Sequence, residues 1–368
     1  MPAPLVRARY KEEPDDFEVE EVPAYEPSGS GDHLWLWLEK RGISTIDAVR
    51  HLARVLGRRE REFGYAGLKD AQALTRQWVS IEHQDPAALE GLRLPHAAIL
   101  RVTRHGNKLR AGHLHGNRFQ IRLRGVDAAG LAALRANLDW LSSHGAPNGF
   151  GEQRFGKRGA NLDKGLEILA HPDPGRIAAK MPRPVFRLLV SAVQSEVFNR
   201  VLAARIDRID RILAGDVAWL HHNGACFRVE DPAREQPRCD AFEISPSGPL
   251  PGPHLLEARG EPGEIEAAAM AALGVSRDSF ARLPTQSHPG VRRPLRVPVR
   301  DGSVEADPHG ARVTFALPAG SYATAVLREL IADMPWFGGN GARGVQDPAQ
   351  QPDAADPGAG PAAAAGDG

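Results

Sequence analysis

Cysteine is nearly absent from this 368-residue chain, which contains only Cys226 and Cys239. They lie in a proline-rich, loop-like region and form no Cys-x-x-Cys pair, so the sequence supports neither a zinc site nor a disulfide framework. No apolar run is long enough to span a membrane, and Met1 to Tyr10 lack the apolar core of a secretory signal. These absences favour a cytoplasmic protein with reduced thiols and no metal.

Lysine and arginine are absent from Gln346 to Gly368, whereas this segment contains four aspartates. The formal net charge of the chain is zero, so the remaining residues carry +4. The segment consists mainly of Ala, Pro, Gly and Asp and has almost nothing to bury. We therefore expect residues 346–368 to be a disordered tail.

Acidic residues are absent between Arg93 and Arg124, where eight residues are cationic. These are Arg93, Arg101, Arg104, Lys108, Arg110, Arg118, Arg122 and Arg124. The alternation from Phe119 to Arg124 predicts a strand, and Ile99 to Thr103 is its expected partner in a hairpin. Basic side chains on the open face of this hairpin suit contacts with the phosphates of a nucleic acid. The alternative is an ordinary cationic surface.

A second basic run contains Arg58, Arg59 and Arg61. It is either a solvated charge run or a patch that contacts phosphates. The sequence does not decide between the two.

The overall composition, with 42% hydrophobic and 25% charged residues, is typical of a soluble globular protein. The length suggests two domains, or one large domain with an insertion. After Pro14 an alternating segment predicts a strand with Phe17, Val19 and Val22 buried, and a second strand follows over 33–40. Ser44 is expected to cap a helix that ends at Gly57. A long helical pattern covers 185–213.

Lys69 and Asp70 lie at the crest of a turn between two predicted strands, 63–66 and 78–81. Gly64 and Gly67 allow the backbone to turn sharply or to approach another group closely. An aspartate on a rigid loop can act as a nucleophile, a general base or a metal ligand. A solvated surface turn is the plainer interpretation.

This turn resembles the signature G-x-K-D-x-x-A-x-T-x-Q of the tRNA pseudouridine synthase D (TruD) family. The fixed positions are filled by Gly67, Lys69, Asp70, Ala73, Thr75 and Gln77. Four further stretches resemble the same family, in its order. They are Lys11-x-x-Pro14-x-Asp16-Phe17; His105 to Phe119; Asn148-x-Phe150-Gly151-x-Gln153-Arg154-Phe155-Gly156; and Leu317-Pro318-x-Gly320-Ser321-Tyr322-Ala323-Thr324 with Arg328-Glu329-Leu330.

The resemblance implies an α/β (α+β) fold. Its catalytic domain has a mixed, largely antiparallel sheet built from both ends of the chain, residues 1–173 and 297–345. A change of texture at residue 174 agrees with an inserted TRUD domain over 174–296.

The resemblance also implies a reaction: the isomerisation of uridine 13 of transfer RNA to pseudouridine. The target base must leave its stack to react. Asp70 is the expected nucleophile, attacking either the sugar or the base, and Lys11, together with Lys69, is expected to keep it ionised. No cofactor or metal is implied; tRNA is the partner, and the protein is expected to be a monomer.

Further site residues follow from the matched motifs. Phe17, Phe150 and Tyr322 are expected to frame the target base and Asn148 to hydrogen-bond to it, with Lys69 also at the substrate. Many relatives have Phe where this chain has Tyr322. The expected contacts with the RNA backbone are Arg104, Lys108, Arg110 and Arg118.

Two alternative functions stay open: an RNA-binding protein without catalysis, and a metal-dependent nuclease that uses the acidic N-terminal run.

Overall fold

The computed structural model describes residues 1–283, 288–332 and 334, so the predicted tail lies outside the described residues. The strands are β1 Phe17–Pro23, β2 His33–Arg41, β3 Phe63–Tyr65, β4 Leu74–Glu82, β5 Ala97–His105, β6 Leu114–Arg124, β7 Ala146–Pro147, β8 Val217–Leu220, β9 Cys226–Arg228, β10 Ile244–Leu250, β11 Val291–Pro294, β12 Arg296–Val297, β13 Arg300–Asp307 and β14 Gly310–Pro318. The helices are α1 Thr45–Val55, α2 Ala128–His144, α3 Ala160–Ala170, α4 Pro174–Lys180, α5 Arg183–Ala204, α6 Pro232–Asp240, α7 Gly260–Ala271, α8 Arg277–Ala281 and α9 Ala323–Leu330. None of the helices in this described part is long and apolar enough to cross a membrane.

An eight-stranded sheet forms the larger body, in the order β13-β14-β6-β1-β4-β2-β5, with β3 paired to β4. Only the β1–β4 pair is parallel among the pairings of this sheet in the described residues. Strands from both ends of the chain meet where β14 pairs with β6. The expectation of a mixed, largely antiparallel sheet built from both ends is confirmed.

Helices cover one face of this sheet because alternate strand residues are apolar on that side. Ile121 and Phe315 pack with Leu138 of α2 and Leu327 of α9 in the main core. A neighbouring cluster packs α1 against β2 and β4. Each large apolar side chain buried in this way contributes about 1.5–3 kcal/mol. Ser44 caps α1 as predicted, since its side chain accepts a hydrogen bond from the Asp47 backbone N–H at 3.1 Å.

The predicted hairpin between the 99–103 and 119–124 segments is wrong. β5 pairs with β2 at the edge of the sheet, whereas β6 lies between β1 and β14 near the opposite end. The apolar side of β6 (Phe119, Ile121 and Leu123) is completed by the distant strand β14, a long-range choice that local alternation cannot reveal.

The prediction for β1 is correct at Phe17 and Val19 but wrong at Val22, which is 36% exposed. Glu21 takes the inward position instead and is 2% exposed. The two-residue period of the strand places Glu21 on the same face as Phe17 and Val19, so the alternation itself, rather than hydrophobicity, decides which residue is buried.

A smaller body follows β7. It contains a four-stranded sheet, β11-β10-β8-β9, and a core that packs α3, α5 and α7 together. The chain leaves the larger body through β7 and returns through β12, and these two short strands pair antiparallel, Val297 opposite Ala146. Because Phe150 and residues of α3 belong to the second core, we propose that the inserted domain spans 148–295 rather than beginning at residue 174.

Two local predictions in this body need correction. The helix predicted over 185–213 ends at Ala204 and is followed by a single 3-10 turn, Ile206–Arg208. The cysteines are not in loops, since Cys226 lies in β9 and Cys239 is buried in α6. Proline does not prevent strand formation in β10, which contains Pro246 and Pro249.

The smaller body depends on a buried ion pair between Arg205 and Asp216, which are each about 2% exposed or less, at 2.8 Å. We expect Asp216→Asn to lower the free energy of unfolding by about 3–5 kcal/mol, because it leaves a buried guanidinium without its counter-charge. Urea unfolding measures the change. Glu257→Gln removes the partner of Arg277 in an exposed pair and should cost less than about 1 kcal/mol. Equal losses in the two variants would contradict this account.

Candidate active site

The loop between β3 and β4, residues 66–73, carries Asp70 and is held at both its N–H and C=O groups. Thr45 Oγ1 accepts a hydrogen bond from the Lys69 N–H at 2.9 Å, and Gln77 Nε2 donates to the Gly67 carbonyl at 3.0 Å. The Ala66 carbonyl accepts from the Gly112 N–H at 2.8 Å. Loops fixed in this way position functional side chains with little conformational freedom.

Of the two glycines noted in the sequence, Gly64 has the predicted role. A Cβ atom there would lie 2.2 Å from the Leu109 carbonyl oxygen, so β3 and the 106–112 loop approach too closely for any side chain. Gly67 neither has positive φ nor meets another atom within 4 Å of a built Cβ. The expectation of a close approach at Gly67 is therefore wrong, and a turn there does not require glycine.

Lys40, which was not among the predicted site residues, is a further anchor of the loop. Its ammonium is fully buried and donates hydrogen bonds to the carbonyls of Ile43 and Asp70, at 2.7 Å each, and of Lys69 at 3.4 Å. A detectable signal was present: the period of β2 places Lys40 on the buried face shared by Leu34, Leu36 and Leu38. A lysine in that register is an unusual choice unless its ammonium has partners.

Lys69 points away from Asp70, into the sheet. Its ammonium lies 2.9 Å from Glu21 Oε2 and donates to Asn117 Oδ1 at 2.6 Å. Burial raises the pKa of Glu21, although Lys69 opposes the shift. This pair fastens the loop to β1 and β6. The role of Lys69 at the substrate stays a prediction, and its position points to support of the loop.

Asp70 forms an ion pair with Lys11 across the site, and its other oxygen accepts from the Gln72 N–H at 2.9 Å. The side chain is 36% exposed, so it is open to a substrate. Burial tends to raise the pKa of Asp70, but Lys11, the Gln72 N–H and Lys40 outweigh it and hold the pKa below its ordinary value. The second cation that acts on Asp70 is therefore Lys40, where the sequence analysis expected Lys69.

The turn that presents Lys11 is built around Asp16, which is fully buried. Asp16 Oδ2 accepts from the N–H groups of Glu12 and Glu13 at 3.1 Å, and Arg124 and Arg122 of β6 bind the same carboxylate. Burial alone would raise the pKa of Asp16, but these hydrogen bonds lower it. Lys11 itself adopts φ of 58°, an uncommon conformation for a non-glycine residue. Such strain is stored at sites where the side chain must be aimed.

Asn148 and Phe150 lie at the junction with the smaller body and are 4% and 6% exposed. Arg293 of β11 donates to Asn148 Oδ1 at 2.6 Å and lies 4.3 Å from the centre of the Phe150 ring. The side chain of Asn199 in α5 accepts a hydrogen bond from the Phe150 N–H and donates one to the Phe150 carbonyl. Arg293 was missed by the sequence analysis, since nothing in its local pattern marks it.

The structure brings these segments together around Arg328 of α9. A Cβ atom built at Gly151 would lie 3.5 Å from Arg328 Nη2, so the loop after Phe150 lies beside this guanidinium. Burial lowers the pKa of Arg328, and the charges of Tyr10 and Glu152 oppose the shift. Tyr322, at the start of α9, is 53% exposed. Phe17 is 4% exposed, and Lys11 Nζ lies 4.3 Å from its ring centre. The predicted contacts of Asn148, Phe150, Phe17 and Tyr322 with a base stay predictions.

The residues predicted to contact the RNA backbone do not form one surface. Lys108 and Arg110 lie on the loop beside β3, and Arg104 donates to the Gly31 carbonyl at 3.3 Å. Arg118 is on β6 and pairs with Asp301 at 2.9 Å. The acids missing from the local sequence are supplied from elsewhere: Arg122 and Arg124 also have carboxylate partners in distant segments.

The acidic N-terminal run shows no metal-site geometry. Among residues 1–283, 288–332 and 334, no three His, Cys, Asp or Glu side chains are grouped to hold an ion. Arg76 instead draws together Glu18, Glu20 and Glu39 on the sheet face.

The family model of tRNA pseudouridine synthase D (TruD) matches residues 3–171 and 166–330. This chain belongs to the TruD family. The tRNA pseudouridine synthase D of Geobacter metallireducens is 42% identical over 379 residues, covering 87% of this chain and 94% of the relative. That of Anaeromyxobacter dehalogenans (strain 2CP-C) is 46% identical over 325 residues, covering 86% and 91%.

A crystal structure from Methanosarcina mazei, assigned to tRNA pseudouridine synthase D, is similar with a TM-score of 0.75 and 25% sequence identity. The matched region covers 89% of this chain and 94% of the Methanosarcina mazei chain. The TruD family, its fold and its enzyme class, an isomerase, are thereby confirmed as predicted.

The pH dependence of stability tests whether Lys40 holds the 66–73 loop. Burial lowers the pKa of Lys40 from 10.5 to about 8, although Asp70 opposes the shift. Between these values the unfolded chain binds more protons than the folded one, so stability rises with pH across this window, by up to about 3 kcal/mol. Urea unfolding at both ends of the window should show this rise in the wild type and its loss in Lys40→Met. Lys164→Met, on the exposed side of α3, is the control, and the rise should persist there. An unchanged rise in Lys40→Met would show that the titration of Lys40 does not cause it.

Proposed function

We propose that this protein converts a uridine of transfer RNA, uridine 13, to pseudouridine, with Asp70 as the nucleophile. The observation that carries the proposal is an ionised, partly exposed carboxylate on a loop anchored by Lys40, Lys69 and Thr45. Membership of the TruD family supports the substrate class. We further propose that the protein acts on tRNA as a monomer in the cytoplasm.

The reaction is an isomerisation without oxidation or reduction. The bond between C1′ and N1 breaks, a bond between C1′ and C5 forms, C5 loses its proton and N1 gains one. A base stacked in a helix cannot rotate in this way, so the target nucleotide must flip out into the site. Covalent attack by Asp70, on the sugar or on the base, divides the exchange into easier steps.

Each supporting residue has a physical task. Lys11 keeps Asp70 ionised as the substrate excludes water, because an opposite charge at contact distance favours the carboxylate. Tyr322 is exposed and offers a ring against which a flipped base can stack. Arg293 holds Asn148 and Phe150 in one conformation, so any contact they make with the nucleotide needs little further ordering.

Asp70→Asn should abolish pseudouridine formation while tRNA affinity stays within about threefold, because the amide cannot act as a nucleophile but is nearly isosteric. Pseudouridine in unmodified tRNA transcripts, mapped by chemical labelling, is the readout. Asp139→Asn removes the same charge from the exposed face of α2 and should keep full activity. Pseudouridine formed by Asp70→Asn, free of wild-type enzyme, would remove Asp70 from this role. Cleavage of the RNA that EDTA abolishes would favour the nuclease alternative.

Lys11→Met should raise the pKa of Asp70 and move the acidic limb of the rate profile to higher pH. The sign follows because Lys11 holds that pKa down, so activity in the wild type persists to lower pH. Single-turnover rates across the acidic range measure the shift. Arg9→Met, which loses an exposed pair with Glu12 in the same segment, should leave the limb in place. An unshifted limb in Lys11→Met would show that the ammonium does not act through Asp70.

A further inference from the structure

A shallow depression of about 520 Å³ lies at the end of α1 and is lined by five arginines and a single carboxylate. The lining residues are Arg50, Ala53, Arg54, Arg58, Arg59, Glu60 and Arg61. We name it the arginine pocket. It contains the basic run that the sequence left undecided, together with two arginines of α1.

Ion pairs orient three of these arginines. Arg50 contacts Asp47 and Glu60 at 3.2 and 3.3 Å, whereas Arg58 and Arg59 share Glu62 at 3.1 and 3.3 Å. Arg54 and Arg61 are exposed, and their side chains have no hydrogen bond or ion pair within the described residues. Two cations therefore lie free between oriented ones, which leaves the pocket without enough carboxylates to neutralise it.

The pocket is connected to the candidate active site by rigid elements. α1 starts at Thr45, which binds the catalytic loop, and ends at the pocket after about 16 Å. The pairing of Phe63 with Ile81 places Arg61 at the far end of β4 from Leu74, a separation of about 24 Å. The pocket therefore lies at the opposite end of α1 and of β4 from the catalytic loop.

Further cations lie between the two ends. Lys108 donates to the Arg61 carbonyl at 2.6 Å, and Arg110 is exposed on the same loop. That loop returns to the catalytic loop where the Gly112 N–H bonds Ala66 at 2.8 Å. Lys108 and Arg110 are therefore two further cations on a loop that contacts both the pocket, at Arg61, and the catalytic loop, at Ala66.

We propose that the arginine pocket binds backbone phosphates of the substrate tRNA at a distance from the target uridine. The proposal rests on the proposed function and extends it to a second contact. Successive phosphates of an RNA strand lie only a few ångströms apart, so a helical arm of the tRNA is long enough to reach from Asp70 to the pocket. Arginine is suited to the task because its planar fork binds phosphate oxygens in pairs.

The test is Arg54→Gln combined with Arg61→Gln, since neither side chain has a partner whose loss would unfold the protein. Binding to full-length tRNA should weaken by about tenfold, and the slope of log affinity against log salt should fall by about 1.4–1.8, for two lost phosphate contacts. KM should rise with kcat unchanged, because the pocket is remote from Asp70. The melting temperature should not change.

Arg234→Gln combined with Arg259→Gln is the matched control, because it removes two exposed arginines from the smaller body. The control should lose less affinity and less salt slope than the pocket variant. Equal losses in the two variants would overturn the proposal and leave a general charge effect. So would an unchanged slope in the pocket variant.

Two further measurements separate the sources of the anion. An RNA hairpin that keeps only the base pairs next to the target uridine cannot reach the pocket, so wild type and pocket variant should bind it equally. Inorganic pyrophosphate should bind the pocket weakly. Tight binding of pyrophosphate that the double variant loses, with tRNA affinity unchanged, would assign the pocket to a free anion instead.

The outcome is separable from that of the proposed function. A wild-type protein that forms no pseudouridine would refute the function, whereas tRNA affinity and its salt slope still decide the pocket. A wild type that forms pseudouridine, with no change in affinity in the pocket variant, would refute the pocket alone.

Discussion

The buried ammonium of Lys40 is the contact on which the site depends. It binds main-chain carbonyls on both sides, at Ile43 before α1 and at Lys69 and Asp70 in the catalytic loop. A buried cation is costly unless its donors are satisfied, and here the catalytic loop supplies two of the three acceptors. Displacement of the loop would remove two of these three acceptors from a buried charge, and this cost restrains the position of Asp70.

The same principle recurs around the site, since buried charges hold the segments that carry exposed ones. Glu21 and Lys69 attach the loop to β1, and Asp16 with Arg124 fixes the turn that presents Lys11. The functional pair, Lys11 and Asp70, is left partly open to solvent. Rigid support behind an accessible carboxylate lowers the reorganisation needed when substrate binds.

The two bodies of the chain meet at the site because the connecting strands β7 and β12 pair with each other. This ribbon places the Asn148–Phe150 loop next to α9, and Arg328 lies between that loop and the N-terminal segment. The sheet thus provides the nucleophile, while the junction provides residues that can face the nucleotide. Outside the junction, α1 is a rigid element that begins beside the catalytic loop and ends at the arginine pocket.

The sequence by itself determined the family, the order of the motifs, the sheet class and the position of Asp70 on a turn between strands, because these depend on local patterns and on residues read in order. Only the tertiary structure decided that β6 pairs with β14 instead of β5, that Glu21 is buried in place of Val22, and that Lys40 holds the loop. Strand partners and acceptors for buried charges come from residues far along the chain, as Lys40 and Asp70 illustrate. Local periodicity shows which side chains turn inward, but it contains no information about what they meet there.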